Sequence, residues 1–111
     1  MIDRDCIFCK IAGGDIPSST VYEDEQFRVL LDLSPATKGH ALILPKQHYA
    51  NIFEIDENVL RDLIVLAKKV ASAMKETLNC DGVNIVQNNG EAAGQTVFHF
   101  HMHDIPSTRI D

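Results

Sequence analysis

Three histidines, His99, His101 and His103, stand at every second position of the segment Gln95-Thr96-Val97-Phe98-His99-Phe100-His101-Met102-His103. Side chains two apart on a β-strand project from the same face. The spacing therefore predicts three imidazoles on one face of a strand over residues 96–105, with Phe98, Phe100 and Met102 packed on the other. Imidazole titrates near neutral pH and can serve as nucleophile, acid, base or metal ligand. Three on one strand face is costly to arrange for packing alone. The bland alternative is a surface histidine cluster or an adventitious metal site of the purification-tag kind, but tags are terminal and lack interleaved apolar residues.

The loop ahead of the histidines carries matching chemistry. Asn88-Asn89-Gly90 and Gly94-Gln95-Thr96 supply amides, a hydroxyl and backbone N–H groups. Glycine lets the backbone approach a ligand closely and turn its N–H groups into a concave anion site. Such a loop by itself usually only turns the chain. Beside three convergent imidazoles it reads as a phosphate cradle, so that a nucleophile, proton-transfer groups and oxyanion donors stand together.

The elements that must position these groups are legible from periodicity. Residues 6–12 read as a short helical turn closed by Gly13-Gly14. Strands are expected at 20–23 and 27–33, joined by a tight hairpin at Asp24-Glu25, then at 40–44, stopped by Pro45. Residues 56–78 form the one long helix: Leu60, Leu63, Ile64, Ala67, Val70, Ala71, Met74 and Leu78 fall at amphipathic spacing. Asp56 caps its start and residues 79–82 end it. Residues 83–87 and 96–105 are the last two strands, the latter ended by Pro106. Five strands with helices set apart in sequence indicate a single α+β domain over residues 1–111 with an antiparallel sheet.

Composition bounds the function. A chain of 111 residues with 45% hydrophobic and 23% charged content is an ordinary globular domain. A net charge of −6 with scattered Lys and Arg argues against DNA or RNA as partner. A small phosphate ligand needs only a few placed donors. No apolar run is long enough to cross a bilayer and the start shows no signal pattern, so a cytoplasmic protein is expected. The three cysteines do not read as a disulfide framework. Cys80 reads as a small buried residue. Cys6 and Cys9 form a C-x-x-C pair, which chelates zinc if two more ligands close the tetrahedron; the alternative is two reduced thiols packed as small hydrophobes.

Taken together, these residues resemble the histidine triad (HIT) superfamily, whose signature alternates histidine with apolar residues as His99-Phe100-His101-Met102-His103 does. The likeness is closest to its nucleotide-binding-protein branch, the small purine nucleoside phosphoramidate hydrolases. It runs through Ile7-Phe8-Cys9-Lys10-Ile11, Leu31-Asp32-Leu33-Ser34-Pro35, the segment from Gly39 to His48, Asn88, and Gly94-Gln95-Thr96-Val97. The longer uridylyltransferase branch replaces the third histidine with glutamine, whereas His103 is histidine, which favours water as final acceptor.

The resemblance implies roles. His101 would attack the α-phosphorus of a purine nucleoside 5′-phosphoramidate or related adenylate, giving a nucleotidyl-histidine that water cleaves. His103, Gln95 and the backbone of Gly94 and Thr96 would bind phosphate oxygens, and the Thr96 hydroxyl would help the leaving group. Asp32 would accept both ribose hydroxyls, with Asn88 also holding the nucleotide. Phe8, Ile11, Ile16 and Leu33 would sandwich the purine, although each could be plain core. In bacterial relatives with the cysteine pair, the remaining zinc ligands correspond to His48 and His99, a closed structural set of Cys6, Cys9, His48 and His99. No catalytic metal is expected. His40 would sit behind the triad as a supporting partner, or be a simple buried histidine. The resemblance also implies a homodimer in which the long helix and residues 83–87 meet their copies so that two sheets join. Relatives usually carry an apolar residue where this chain has Asp104, which alternation puts on the Phe100–Met102 face; it should reach water or be paired. Rival readings are a nucleotide-binding regulatory or scaffold protein with vestigial chemistry, and a dinucleoside polyphosphate hydrolase.

Overall fold

The computed structural model describes residues 2–32 and 38–108. Leu33 and the turn-rich stretch 34–37 lie outside them, so the expected base-slot role of Leu33 does too. Two helices, α1 (Ile7–Ala12) and α2 (Glu57–Leu78), accompany five strands: β1 (Thr20–Glu23), β2 (Phe27–Leu31), β3 (Ala41–Pro45), β4 (Gly82–Val86) and β5 (Met102–Ser107). The strands form one antiparallel sheet in the order β1-β2-β3-β5-β4. The expected α+β class, five-stranded antiparallel sheet, long helix and short N-terminal helix are all present.

Local chemistry sets the boundaries. Asp24 turns the β1–β2 hairpin by accepting the Gln26 and Phe27 amides on one carboxylate oxygen, each at 2.8 Å. Asp56 caps α2 by accepting the amides of Asn58 and Val59, and Asn79, in the left-handed region at φ 52°, ends it. The helix buries Leu63, Leu66, Ala67 and Met74 against Phe27, Val29, Ile43, Phe100 and Met102. Ile64, counted in the apolar stripe, is 44% exposed, because it sits one residue, about 100°, off the line through Leu63, Ala67 and Met74. The other face of the sheet carries a smaller cluster, Ala12, Leu30, Leu42 and Leu44, against which Phe8 and Ile11 of α1 pack. His103 pairs with Leu42. Directly paired residues share a face, so the triad lies on the α1 side.

The histidine strand begins later than its pattern predicts. β5 starts at Met102 and runs through Pro106 to Ser107, so only His103 lies within a regular ladder. Proline explains the break. Continuing the Ile43–Met102 register would set Phe100 opposite Pro45, which has no N–H to donate. The Phe100 amide bonds to the Tyr49 carbonyl instead, and the His99 ring takes the Pro45 carbonyl. Alternation survives from His99 to Asp104, but Phe98 turns outward at 47% exposure rather than joining the core. A single 3₁₀ turn at Glu91–Ala93, which the polar composition of that loop did not announce, tightens it.

Asp104 departs from expectation. It lies between Ala41 and Ile85 of the flanking strands, is 0% exposed, and neither carboxyl oxygen has a hydrogen-bond partner among the described residues. Burial pushes its pKa up to about 6. The folded state thus favours the protonated acid: this carboxyl's contribution to stability is greatest below about pH 4 and is lost as pH rises through 6. A two-unit shift corresponds to about 3 kcal/mol once the group must ionise. Asp104→Val should therefore be about 1–3 kcal/mol more stable than the parent in urea unfolding at pH 7.5, with the advantage shrinking at pH 4.5. A variant no more stable at pH 7.5 would contradict this account.

Candidate active site and metal centre

Two clusters of chemically active side chains meet on the α1 face. In the first, Cys6 caps α1 and accepts the Cys9 amide on sulfur, which turns both thiols toward the sheet. His48, three residues past Pro45, and His99 complete the group. Cys6 Sγ lies 3.3 Å from His99 Nδ1, Cys9 Sγ lies 3.3 Å from His48 Nδ1, and Cys9 Sγ lies 3.4 Å from His99 Nδ1. All four donor atoms lie within 4.8 Å of one another. A tetrahedral zinc with about 2.3 Å Zn–S and 2.0–2.1 Å Zn–N bonds spaces sulfur and nitrogen about 3.6 Å apart, so the donors fit after a small expansion. Orientation fits as well. His99 Nε2–H donates to the Pro45 carbonyl at 2.7 Å, which fixes the tautomer and leaves the Nδ1 lone pair aimed at both sulfurs. Burial pushes the Cys9 thiol up to about 11, so a bound metal would have to displace its proton.

The second cluster holds the other two triad histidines. His101 Nδ1–H donates to the His99 carbonyl at 2.7 Å, leaving the lone pair on Nε2. The Phe8 ring meets the His101 ring edge-on at 5.0 Å, and the His103 ring lies 5.0 Å away. Behind His103 stands His40, its Nε2 2.8 Å from His103 Nδ1 and 3.7 Å from an Asp32 carboxylate oxygen. Burial lowers the pKa of all three triad imidazoles, to about 4 for His99 and His103. Each ring is therefore neutral at pH 7, the form that attacks or accepts.

The polar loop is fastened by a brace. The Gln95 side chain accepts the Gly90 amide at 2.8 Å and donates to the Ala50 and Val97 carbonyls, while its own amide bonds to the Gly90 carbonyl. Both side-chain N–H groups are spent inside the protein, and the residue is buried. Gln95 thus holds the loop instead of facing a phosphate. Gly94, at φ 91°, packs near the Asn88 side chain, which a Cβ there would meet at 3.9 Å. Thr96 is exposed beside it, whereas Ile11 and Ile16, like Phe8, are half-buried. Sequence reasoning missed the backbone acceptors, among them the carbonyls of Pro45, Tyr49, Ala50 and His99. Backbone acceptors carry no residue-type signal, so nothing in the sequence points to them.

The HIT domain family model matches residues 13–110. The Protein hit of Bacillus subtilis is 48% identical over 103 residues, covering 93% of this chain and 71% of that protein. The adenylylsulfatase HINT3 of Arabidopsis thaliana is 37% identical over 110 residues, 99% of this chain but 56% of that protein. Among solved structures, a zinc-bound histidine triad family protein from Mycobacterium smegmatis superposes with a TM-score of 0.92 at 40% identity, covering 96% of this chain and 78% of that one.

The neutral imidazoles have a pH consequence. With its pKa lowered from 6.5 to about 4 by burial and by the neighbouring His101 and His40, His103 binds a proton more readily unfolded than folded. Its contribution to stability is full above about pH 6.5 and is lost as pH falls toward 4. An NMR titration should place the midpoint of the His103 ring protons near pH 4. A midpoint near 6.5 would mean that burial is not acting.

Proposed function

Because this chain belongs to the HIT domain family, we propose that it is a cytoplasmic nucleotide hydrolase that cleaves purine nucleoside 5′-phosphoramidates or related adenylates through a nucleotidyl-histidine intermediate. The observation that carries this reading is the hydrogen bond that orients His101. Its Nδ1–H is given to the His99 carbonyl and its ring is neutral by burial, so Nε2 holds a lone pair for phosphorus. An adenylylsulfatase among the relatives supports adenylates as the substrate class.

In the proposed reaction, His101 Nε2 attacks the α-phosphorus and the bond to the leaving amine or acid anion breaks, with the Thr96 hydroxyl assisting its departure. Backbone N–H groups at Gly94 and Thr96, with His103, hold the phosphate oxygens as their charge grows. Gln95 acts by bracing this loop. Water then attacks the same phosphorus, releasing the nucleoside monophosphate and returning His101 to the neutral state. Asp32 binds the ribose hydroxyls, Asn88 steadies the nucleotide, and Phe8, Ile11 and Ile16 flank the base. His40 positions His103.

Cys6, Cys9, His48 and His99 would hold a structural zinc, which would tie α1 to the sheet. With four protein ligands it offers substrate no open position. The sheet ends at β4, where Ile85 is 44% exposed; we place a two-fold dimer contact there and along α2, since an uncovered strand edge favours association.

His101→Ala should lower kcat by roughly a thousandfold or more while changing KM little, because the nucleophile acts in the transition state and the binding groups remain. A phosphoramidate bond is acid-labile and base-stable. Alkaline-quenched parent enzyme should therefore carry the mass of one nucleoside monophosphate on the triad peptide, absent from the variant. Retention of more than about a tenth of kcat would move the chemistry to another group. Native mass spectrometry checks the assembly. Two copies of the 12.4 kDa chain, each with one zinc, are expected, and a metal-free monomer at micromolar concentration would contradict both assignments.

A further inference from the structure

The Cys/His cluster is not the only set of ligand atoms that converges on this face. Asp32, His40 and His103 each offer one donor atom, and the three lie within 4.8 Å of one another. His40 Nε2 and His103 Nδ1 are 2.8 Å apart, and His40 Nε2 lies 3.7 Å from Asp32 Oδ2. None of the three belongs to the Cys6, Cys9, His48 and His99 group. The carboxylate and His103 are half-buried, whereas His40 is buried. The set is thus anchored in the protein yet open on one side.

We propose that Asp32, His40 and His103 form a second site, specific for a divalent transition metal and mutually exclusive with nucleotide. Two imidazoles and one carboxylate suit zinc, cobalt or nickel, whereas magnesium and calcium want oxygen donors. In the metal-free protein one ring donates a proton to the other across the 2.8 Å gap. A metal takes the lone pairs of both nitrogens, with each ring's proton carried on its other nitrogen. Two nitrogens about 2.05 Å from a tetrahedral ion stand about 3.3 Å apart, so the pair needs to open by only about half an ångström. Three protein ligands leave at least one coordination position to water. The metal would occupy the nitrogen through which His40 steadies His103, together with the carboxylate assigned to the ribose, which is why bound metal and bound nucleotide exclude one another. That exclusion rests on the nucleotide reading above; the metal site itself does not.

The test is a cobalt(II) titration of protein already carrying zinc at its Cys/His cluster. A second equivalent should bind with d–d absorption and without the thiolate-to-metal band that would mark entry into the cysteine site. Asp32→Asn and His40→Gln should each lose that equivalent while keeping the first zinc, and excess magnesium should not displace it. Adenosine monophosphate at ten times its own dissociation constant should weaken cobalt binding about tenfold. Absence of a second equivalent, or its survival in both variants, overturns the site. Unchanged cobalt affinity with the nucleotide demonstrably bound overturns the exclusion. If the nucleotide does not bind the zinc-loaded protein at all, the nucleotide reading falls and the cobalt equivalent still decides the metal site.

Discussion

Most of this structure depends on how one residue, His99, spends its polar atoms. The ring gives its Nε2 proton to the Pro45 carbonyl and faces the Cys6 and Cys9 sulfurs with Nδ1. Its backbone carbonyl receives the His101 Nδ1 proton. Three neighbourhoods are thereby locked to one residue, 0% exposed: the end of β3 and the N-terminal helix through its ring, and the neighbouring triad histidine through its carbonyl. A ring rotation that improved one contact would break another. Such over-determination holds the His99 ring to a narrow range of orientations.

The parts of the fold that follow from periodicity were legible. The α2 stripe, the Asp56 cap, the five strands and the two-sided partition of residues 99–104 all follow from spacing and turn chemistry. The site was legible to the extent that it is built from side chains of unusual type, since the cysteine pair and the histidines converge as their spacing and resemblance implied. What was not legible depends on the backbone. A period of two does not say whether a strand has a neighbour to bond, and the ladder stops opposite Pro45 for want of a hydrogen. The resemblance makes Gln95 a ligand-binding residue, and its type is compatible with that. Only the fold shows both its N–H groups consumed by carbonyls far away and near, those of Ala50 and Val97.

Gln95 and Asp104 show opposite treatments of buried polarity. Gln95 is satisfied on every side-chain polar atom, so its burial stiffens the loop ahead of the triad in sequence. Asp104 is unsatisfied on both oxygens and sits on the α2 side, away from the chemistry. Its burial is a cost to the fold with no compensating bond among the described residues. The two faces of one sheet thus differ in kind: the α1 face concentrates hydrogen-bonded polar groups, and the α2 face is an apolar core interrupted by one acid.

The strand order has a temporal meaning. β5 is the last strand described along the chain yet lies between β3 and β4, and among the described residues β4 pairs with β5 alone. During synthesis the hairpin and β3 can assemble as a three-stranded meander, while α2 and β4 have no sheet to complete until residues 102–107 emerge. Closure is therefore a late, long-range event of the kind that slows folding and leaves strand edges open meanwhile. Since His103 rides on β5 and His99 and His101 immediately precede it, the histidine-lined face comes into being in the same step that seals the sheet. A nascent or truncated chain lacking that strand would carry the cysteine pair and an unpaired β4 edge, a species exposed to quality-control machinery before the histidine face forms.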